Sequence, residues 1–280
     1  MPTPSPSPSS SPTSPPGLTV TLDERRLDIG EGIISMLVTN NGPAPVDITA
    51  AELSTPLYPD TSRWTPGPSG RSSLKAGATV ALPAPLTAAP ICGNSPQLQT
   101  TPPAEATVLL TVDGQQQNYE APDPYAALER LQQQSCLEHA VLDVAALELS
   151  PDLAVAPDGG TAVVRLSIVP AGNTGSITLV SFGETTLLAE NPGQQWPRNI
   201  SVSGSDDPAV VELSVLPARC DAHALAEDKT GTKLPIDVAT SAGSGQIRLV
   251  PDPEFTGSVY SFVQSACSRT GGASRSATAN

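Results

Sequence analysis

The same landmarks occur twice along the sequence, in the same order and at offsets of 128–132 residues. Five such pairs in register indicate a tandem duplication, because chance rarely preserves both order and spacing. Each of the two repeats is therefore expected to form a complete fold by itself. The pairs are Gly30 and Gly159, Trp64 and Trp196, Cys92 and Cys220, Asp123 and Asp252, and Cys136 and Cys267.

Between these landmarks the sequence favours short strands. The 31 Pro and 22 Gly interrupt long helices, and apolar alternation appears in runs such as 107–112 and 210–215. Residues 40–43 and 171–175 are predicted to be hairpin turns. We predict an all-β fold of two tandem immunoglobulin-like β-sandwich domains, with one short helix near the end of the first. Predicted strands are 18–22, 33–39, 46–53, 78–82, 107–112, 144–149, 162–169, 176–182, 209–216, 246–250 and 258–263.

The predicted helix follows Asp123, a favourable N-cap, with Pro124 at the first helical position. Tyr125, Leu128 and Leu131 recur at helical spacing, and the helix should end near Cys136. The equivalent stretch of the second copy, 255–267, is rich in β-forming residues and is predicted to be a strand or irregular.

Composition divides the chain into four parts. Residues 1–16 are rich in Pro, Ser and Thr and should form an extended, disordered spacer. We predict β-sandwich domains over 17–142 and 143–270 and a flexible tail over 271–280. Such a spacer commonly follows a signal peptide or a lipidated cysteine, so we expect an exported, envelope-associated protein whose membrane anchor precedes this sequence.

The four cysteines fall at matching positions of the two copies. This favours one disulfide within each copy, Cys92–Cys136 and Cys220–Cys267, formed in an oxidising compartment. The alternative is a zinc site, since Cys136 with His139 and Cys220 with His223 both read C-x-x-H. The two motifs lie at opposite ends of their repeats, which argues against that alternative.

The balance of charge excludes several function classes. A net charge of −14 without a basic stripe argues against nucleic-acid binding and against direct binding to an anionic membrane. We find no phosphate-binding glycine loop, nucleophile elbow or metalloprotease motif. We therefore predict neither catalysis nor a cofactor, and no metal.

A charged stretch after Cys220 is the predicted binding loop. By the predicted strands it is 27 residues long in the second copy, against 16 in the first, and function is often carried by such elaborated loops. A solvated loop with local charge pairs is the alternative. Its candidate residues are Arg219, Asp221, His223, Glu227, Asp228 and Lys229. A second acidic group, Glu184 with Asp206 and Asp207, is a weaker candidate for holding a cation.

The order Cys-Asp-x-His-x-x-x-Glu-Asp-Lys-x-Gly-Thr over 220–232, together with the Asp123-Pro124 segment leading into Cys136, resembles uncharacterised envelope-associated proteins of high-GC Gram-positive bacteria. This resemblance implies an exported or lipid-anchored location and implies no activity. The immunoglobulin-like pattern departs from the antibody type, in which the Trp lies between the two cysteines.

Three functions follow from these observations. The first is a non-enzymatic binding or scaffold module that contacts another envelope or surface protein. The second is a metal-dependent protein or enzyme that uses His223 and the nearby carboxylates. The third is a purely structural stalk.

Overall fold

The computed structural model describes residues 17–26, 28, 30–93, 106–220 and 231–273. The structure is mostly β and divides into two compact units, with the division after Gln133. The first unit contains β1 Leu18–Asp23, β2 Ile33–Asn40, β3 Val46–Ser54, β4 Ser62–Arg63, β5 Ser72–Leu74, β6 Thr79–Pro85, β7 Thr107–Val112 and β8 Gln115–Glu120. Helix α1, Ala127–Val144, spans the division. The second unit contains β9 Ala145–Leu149, β10 Ala154–Val155, β11 Ala162–Pro170, β12 Ser176–Phe182, β13 Leu188–Glu190, β14 Ile200–Ser203, β15 Ala209–Pro217, β16 Leu234–Thr240, β17 Gly243–Leu249 and α2 Pro253–Ala273.

The first unit is a β-sandwich of two antiparallel sheets. One sheet has the order β1-β2-β6, and the other has β4-β3-β7-β8 with β5 also paired to β3. Inward residues of both sheets form a single core, including Ile34 and Met36 of β2 and Leu53 of β3. The first turns of α1 add Leu128 and Leu131 to that core. The apolar alternation of the strands thus faces inward from both sides.

The second unit shares most of this order of paired strands. One sheet runs β10-β11-β15-β13, with β9 also paired to β11, and the other runs β14-β12-β16-β17. Thus β9-β11-β15 corresponds to β1-β2-β6, and β14-β12-β16-β17 corresponds to β5-β3-β7-β8. Its core includes Leu213, Ile236 and, from the later turns of α1, Val141.

Helix α2 corrects the prediction of a strand over 258–263. Phe255, Val259 and Val263 recur at helical spacing and are all buried in the core of the second unit. The Asp252 carboxylate accepts a hydrogen bond from the Phe255 N–H at 2.7 Å, which caps the helix. Within the described residues the fold therefore has two helices, α1 where one short helix was predicted and α2 where a strand was predicted. Helix α2 also includes residues 271–273 of the predicted tail, while 274–280 lie outside the described residues.

Helix α1 begins later and ends later than predicted. Pro124 lies in a turn closed by a hydrogen bond from the Ala126 N–H to the Asp123 carbonyl oxygen, and the helix starts at Ala127. Asp123 still caps it, because its two carboxylate oxygens accept the N–H groups of Ala127 and Leu128 at 2.9 and 2.7 Å. Tyr125 is exposed and makes no part of the apolar face.

The two predicted hairpin turns instead carry the chain from one sheet to the other. β2 and β3 belong to different sheets, as do β11 and β12. In each connection an asparagine side chain accepts the backbone N–H two residues on, Asn40 from Gly42 and Asn173 from Gly175, both at 2.9 Å. A turn sequence specifies a local reversal but does not specify the partner of the strand that follows.

Candidate functional site

Both predicted disulfides are present. Cys220 and Cys267 are bonded with their Cα atoms 5.3 Å apart, which ties the end of β15 to α2. Cys92 and Cys136 are also disulfide-bonded, and since the chain has four cysteines they are bonded to each other. Gln132, one turn before Cys136, donates its side-chain amide to the Ile91 carbonyl oxygen at 2.6 Å. Two disulfides indicate folding in an oxidising compartment outside the cytoplasm.

The disulfides remove the thiolates on which the C-x-x-H zinc hypothesis depends. His139 is exposed on α1. Of the predicted binding loop, Arg219 is described and exposed, whereas Asp221, His223, Glu227, Asp228 and Lys229 lie outside the described residues. In the part of the chain that is described, no three His, Cys, Asp or Glu side chains are grouped so that they could hold a metal ion.

The loop after Cys220 is not an insertion, contrary to the prediction. Because β16 was not predicted, the length of the loop was counted from Cys220 to the next predicted strand, which is β17. Strand β16 starts 14 residues after Cys220, and its counterpart β7 starts 15 residues after Cys92. The two loops are therefore nearly equal in length, and the second carries more charged residues.

The acidic residues proposed as a weak cation site instead close local turns. The Glu184 carboxylate accepts the Glu190 N–H at 3.0 Å, and the Asp206 carboxylate accepts the Ser203 N–H at 2.7 Å. Each oxygen thus satisfies a backbone donor.

The second unit has an open groove on its surface. It encloses about 540 Å³ and lies between α2 and the segment that leads into β10. On one side are Leu153 and the half-exposed Val155. On the other side α2 presents mainly small side chains over a buried Phe262, and this wall consists of Glu254, Gly257, Ser258, Ser261, Phe262, Ser265 and Arg269.

Opposite charges mark the helical wall of the groove. Glu254 lies in the first turn of α2, and Arg269 follows it by 15 residues. The Arg269 guanidinium donates a hydrogen bond to the Gly159 carbonyl oxygen, which holds it beside the turn between β10 and β11. A guanidinium has five N–H donors, so this bond leaves others for a ligand.

The groove was not predicted from the sequence. Its wall lies within the stretch that was predicted to be a strand, so the side chains of 257, 261 and 265 were not seen to share a face. The signal available was Asp252-Pro253, which repeats the Asp123-Pro124 pair of the predicted helix. That pair, followed by apolar residues at helical spacing, indicates a helix.

Among the described residues, Asp237 and Tyr119 have a pKa displaced from the ordinary value, and both lie away from the groove. The hydroxyl of Ser181 and then the amide of Gln246 donate to the Asp237 carboxylate and hold its pKa below the ordinary value. Burial raises the pKa of Tyr119, on the edge strand β8.

The comparisons with known proteins add little. No protein-family model matches the chain, and no curated protein matches it. Among solved structures it is similar to the CsuC–CsuE chaperone–tip adhesion subunit complex of Csu pili of Acinetobacter baumannii, at 10% identity over 79% of this chain and 92% of that one, with a TM-score of 0.22. The B domain of a biofilm associated protein matches at 10% identity over 83% and 85%, with a TM-score of 0.20. Red sea bream transglutaminase matches at 12% identity over 84% of this chain and 31% of its own, with a TM-score of 0.23. Such low scores carry no functional argument, and the fold rests on the chain's own topology.

Proposed function

We propose that the protein is a non-enzymatic binding or scaffold module of the cell envelope, composed of two duplicated immunoglobulin-like domains. The shared strand order of the two units and their matching cysteines support the duplication. The disulfides support a location outside the cytoplasm. In this proposal residues 1–16 are the spacer that separates the domains from an anchor at the membrane.

The observation that carries the binding role is the groove beside α2. Its volume of about 540 Å³ lies in the range of pockets that bind ligands, with an apolar strand wall and a helical wall that combines apolar and polar groups. A purely structural stalk has no use for a recess of this size. The partner is another envelope or surface protein.

Filling the groove tests this role. Ser261 lines the groove, is exposed and donates its hydroxyl to the Gly257 carbonyl oxygen at 2.9 Å. In Ser261→Trp the indole occupies the groove, so capture of surface proteins from an envelope fraction should be lost. Stability should change by about 0.5 kcal/mol or less, as for other exposed substitutions.

Ser268→Trp is the matched control. Ser268 is also exposed on α2 and also donates to the carbonyl oxygen four residues back, that of Gln264, at 2.8 Å, but it does not line the groove. It should retain the captured proteins. If the wild type and both variants retain the same proteins, or if the wild type retains none, the groove is not the binding site and a stalk becomes the better proposal.

A further inference from the structure

Among the described residues, the strand beside the groove has an unpaired backbone edge at Val155. Ala156 donates its N–H to the Thr161 carbonyl oxygen at 2.9 Å, and Ala154 pairs with Val163 of β11. Alternate residues of an antiparallel strand direct their backbone groups to opposite sides. The N–H and carbonyl of Val155 therefore point away from β11. Within the described part of the chain Val155 makes no backbone hydrogen bond on that side.

This free edge borders the groove, since Leu153 and Val155 both line it. The opposite wall has no bulky side chain above Phe262, because Gly257, Ser261 and Ser265 recur every four residues along α2. An extended backbone can therefore approach the edge while its side chains lie between strand and helix. The length also fits, because the 15 residues from Glu254 to Arg269 span about 22 Å and seven extended residues span about 23 Å.

On the basis of the proposed binding function, we propose that the groove binds an extended polypeptide segment of about seven residues, which adds to β10 as a further strand. Main-chain hydrogen bonds to the N–H and carbonyl of Val155 hold the segment, and apolar side chains at alternate positions contact Val155 and Phe262. Charge fixes its direction: an acidic group of the segment lies at Arg269, and a basic group lies at Glu254.

Panning a phage-displayed library of random heptapeptides against the full-length protein tests the proposal, with the Ser261→Trp variant as the counter-selection. Enriched sequences should alternate apolar and polar residues and carry opposite charges at their two ends.

Two N-methylated versions of the strongest binder are then synthesised. One carries methyl groups on the alternate backbone amides that face β10, and the other carries them on the amides that face away. Binding of each version is measured by fluorescence anisotropy. Methylation of the edge that faces β10 should weaken binding about tenfold or more, because the methyl groups remove the donor to the Val155 carbonyl oxygen and keep the peptide backbone away from the strand. Methylation of the other edge should have little effect.

The charges are tested by a swap. The double variant Glu254→Arg with Arg269→Glu should prefer a peptide whose terminal charges are exchanged, whereas the wild type prefers the original. The proposal is overturned if no heptapeptide is enriched over the counter-selection, or if methylation of the two edges has equal effects. If Ser261→Trp still abolishes capture of envelope proteins in either case, the binding function stands and only strand addition fails.

Discussion

The indole N–H of Trp196 donates to the backbone carbonyl oxygen of Ser214 at 2.6 Å. Trp196 lies between β13 and β14, whereas Ser214 lies within β15. Both residues are buried, so the bond ties the connecting segment to the sheet in a region without water. The backbone N–H of Trp196 also donates to the Glu190 carboxylate, at 2.6 Å.

Trp196→Phe should therefore destabilise the protein. The Ser214 carbonyl oxygen would lose its indole donor in a buried site, which costs about 1–3 kcal/mol, and the smaller ring adds a packing loss. Trp64→Phe is the comparison, because Trp64 is half-buried at the rim of the first core and should cost less. Urea denaturation measures both, and equal losses would contradict the role given to the bond.

Loss of the second disulfide should lower stability without changing the fold. The Cys220–Cys267 bond joins residues 47 apart, and removal of a disulfide that closes such a loop costs about 2–4 kcal/mol. The variant Cys220→Ala with Cys267→Ala should keep its circular dichroism spectrum and unfold at lower urea. Non-reducing peptide mapping of the wild type should give this bond and Cys92–Cys136, and free thiols would contradict both.

The two aspartate caps should differ in strength. Asp252→Ala removes one carboxylate bond to the helix backbone and should cost about 1 kcal/mol. Asp123→Ala removes two, to Ala127 and Leu128, and should cost up to about 2 kcal/mol. Asp207→Ala, in an exposed loop, is the control and should change the free energy of unfolding little. A reversed order of the two costs would show that cap geometry does not set them.

The Asp237 carboxyl should titrate below its ordinary pKa of 3.8, because Ser181 and Gln246 donate to the ionised form. A lowered folded pKa contributes stability that is present above the unfolded pKa and is lost as the pH falls through the folded value. Ser181→Ala should raise the pKa of Asp237 toward 3.8. Carboxyl carbon NMR titration of both proteins measures this, and an unchanged pKa would rule out the serine as the main cause.

Cutting the chain at the sequence-predicted boundary should weaken the second unit. A fragment of residues 143–273 lacks Leu137 and Val141, which are buried in its core. A fragment of 134–273 keeps both, with Cys136→Ser to avoid a free thiol. The shorter fragment should be less stable by about 2 kcal/mol or more, as for other core truncations. Equal thermal melts would show that α1 does not contribute to this core.

Period-two alternation predicted the apolar strands well, because a half-buried strand must alternate in any sandwich. It missed β8, Gln115–Glu120, whose polar edge sequence carries no apolar pattern. It also missed β16, although Leu234, Ile236 and Val238 alternate there. Pro235 is tolerated because the residues of β16 that pair with β12 begin at Ile236, one position after it.

The sequence by itself determined the number of units, most of the strands with an apolar face and the pairing of the cysteines, because each follows from local periodicity or from spacing along the chain. Tertiary structure decided the rest. Residues 255–267 have weak helix propensity and became helix where Phe255, Val259 and Val263 could be buried together in one core. The groove exists because that helix lies beside an edge strand with its backbone turned outward, a relation between segments about 100 residues apart that no local pattern encodes.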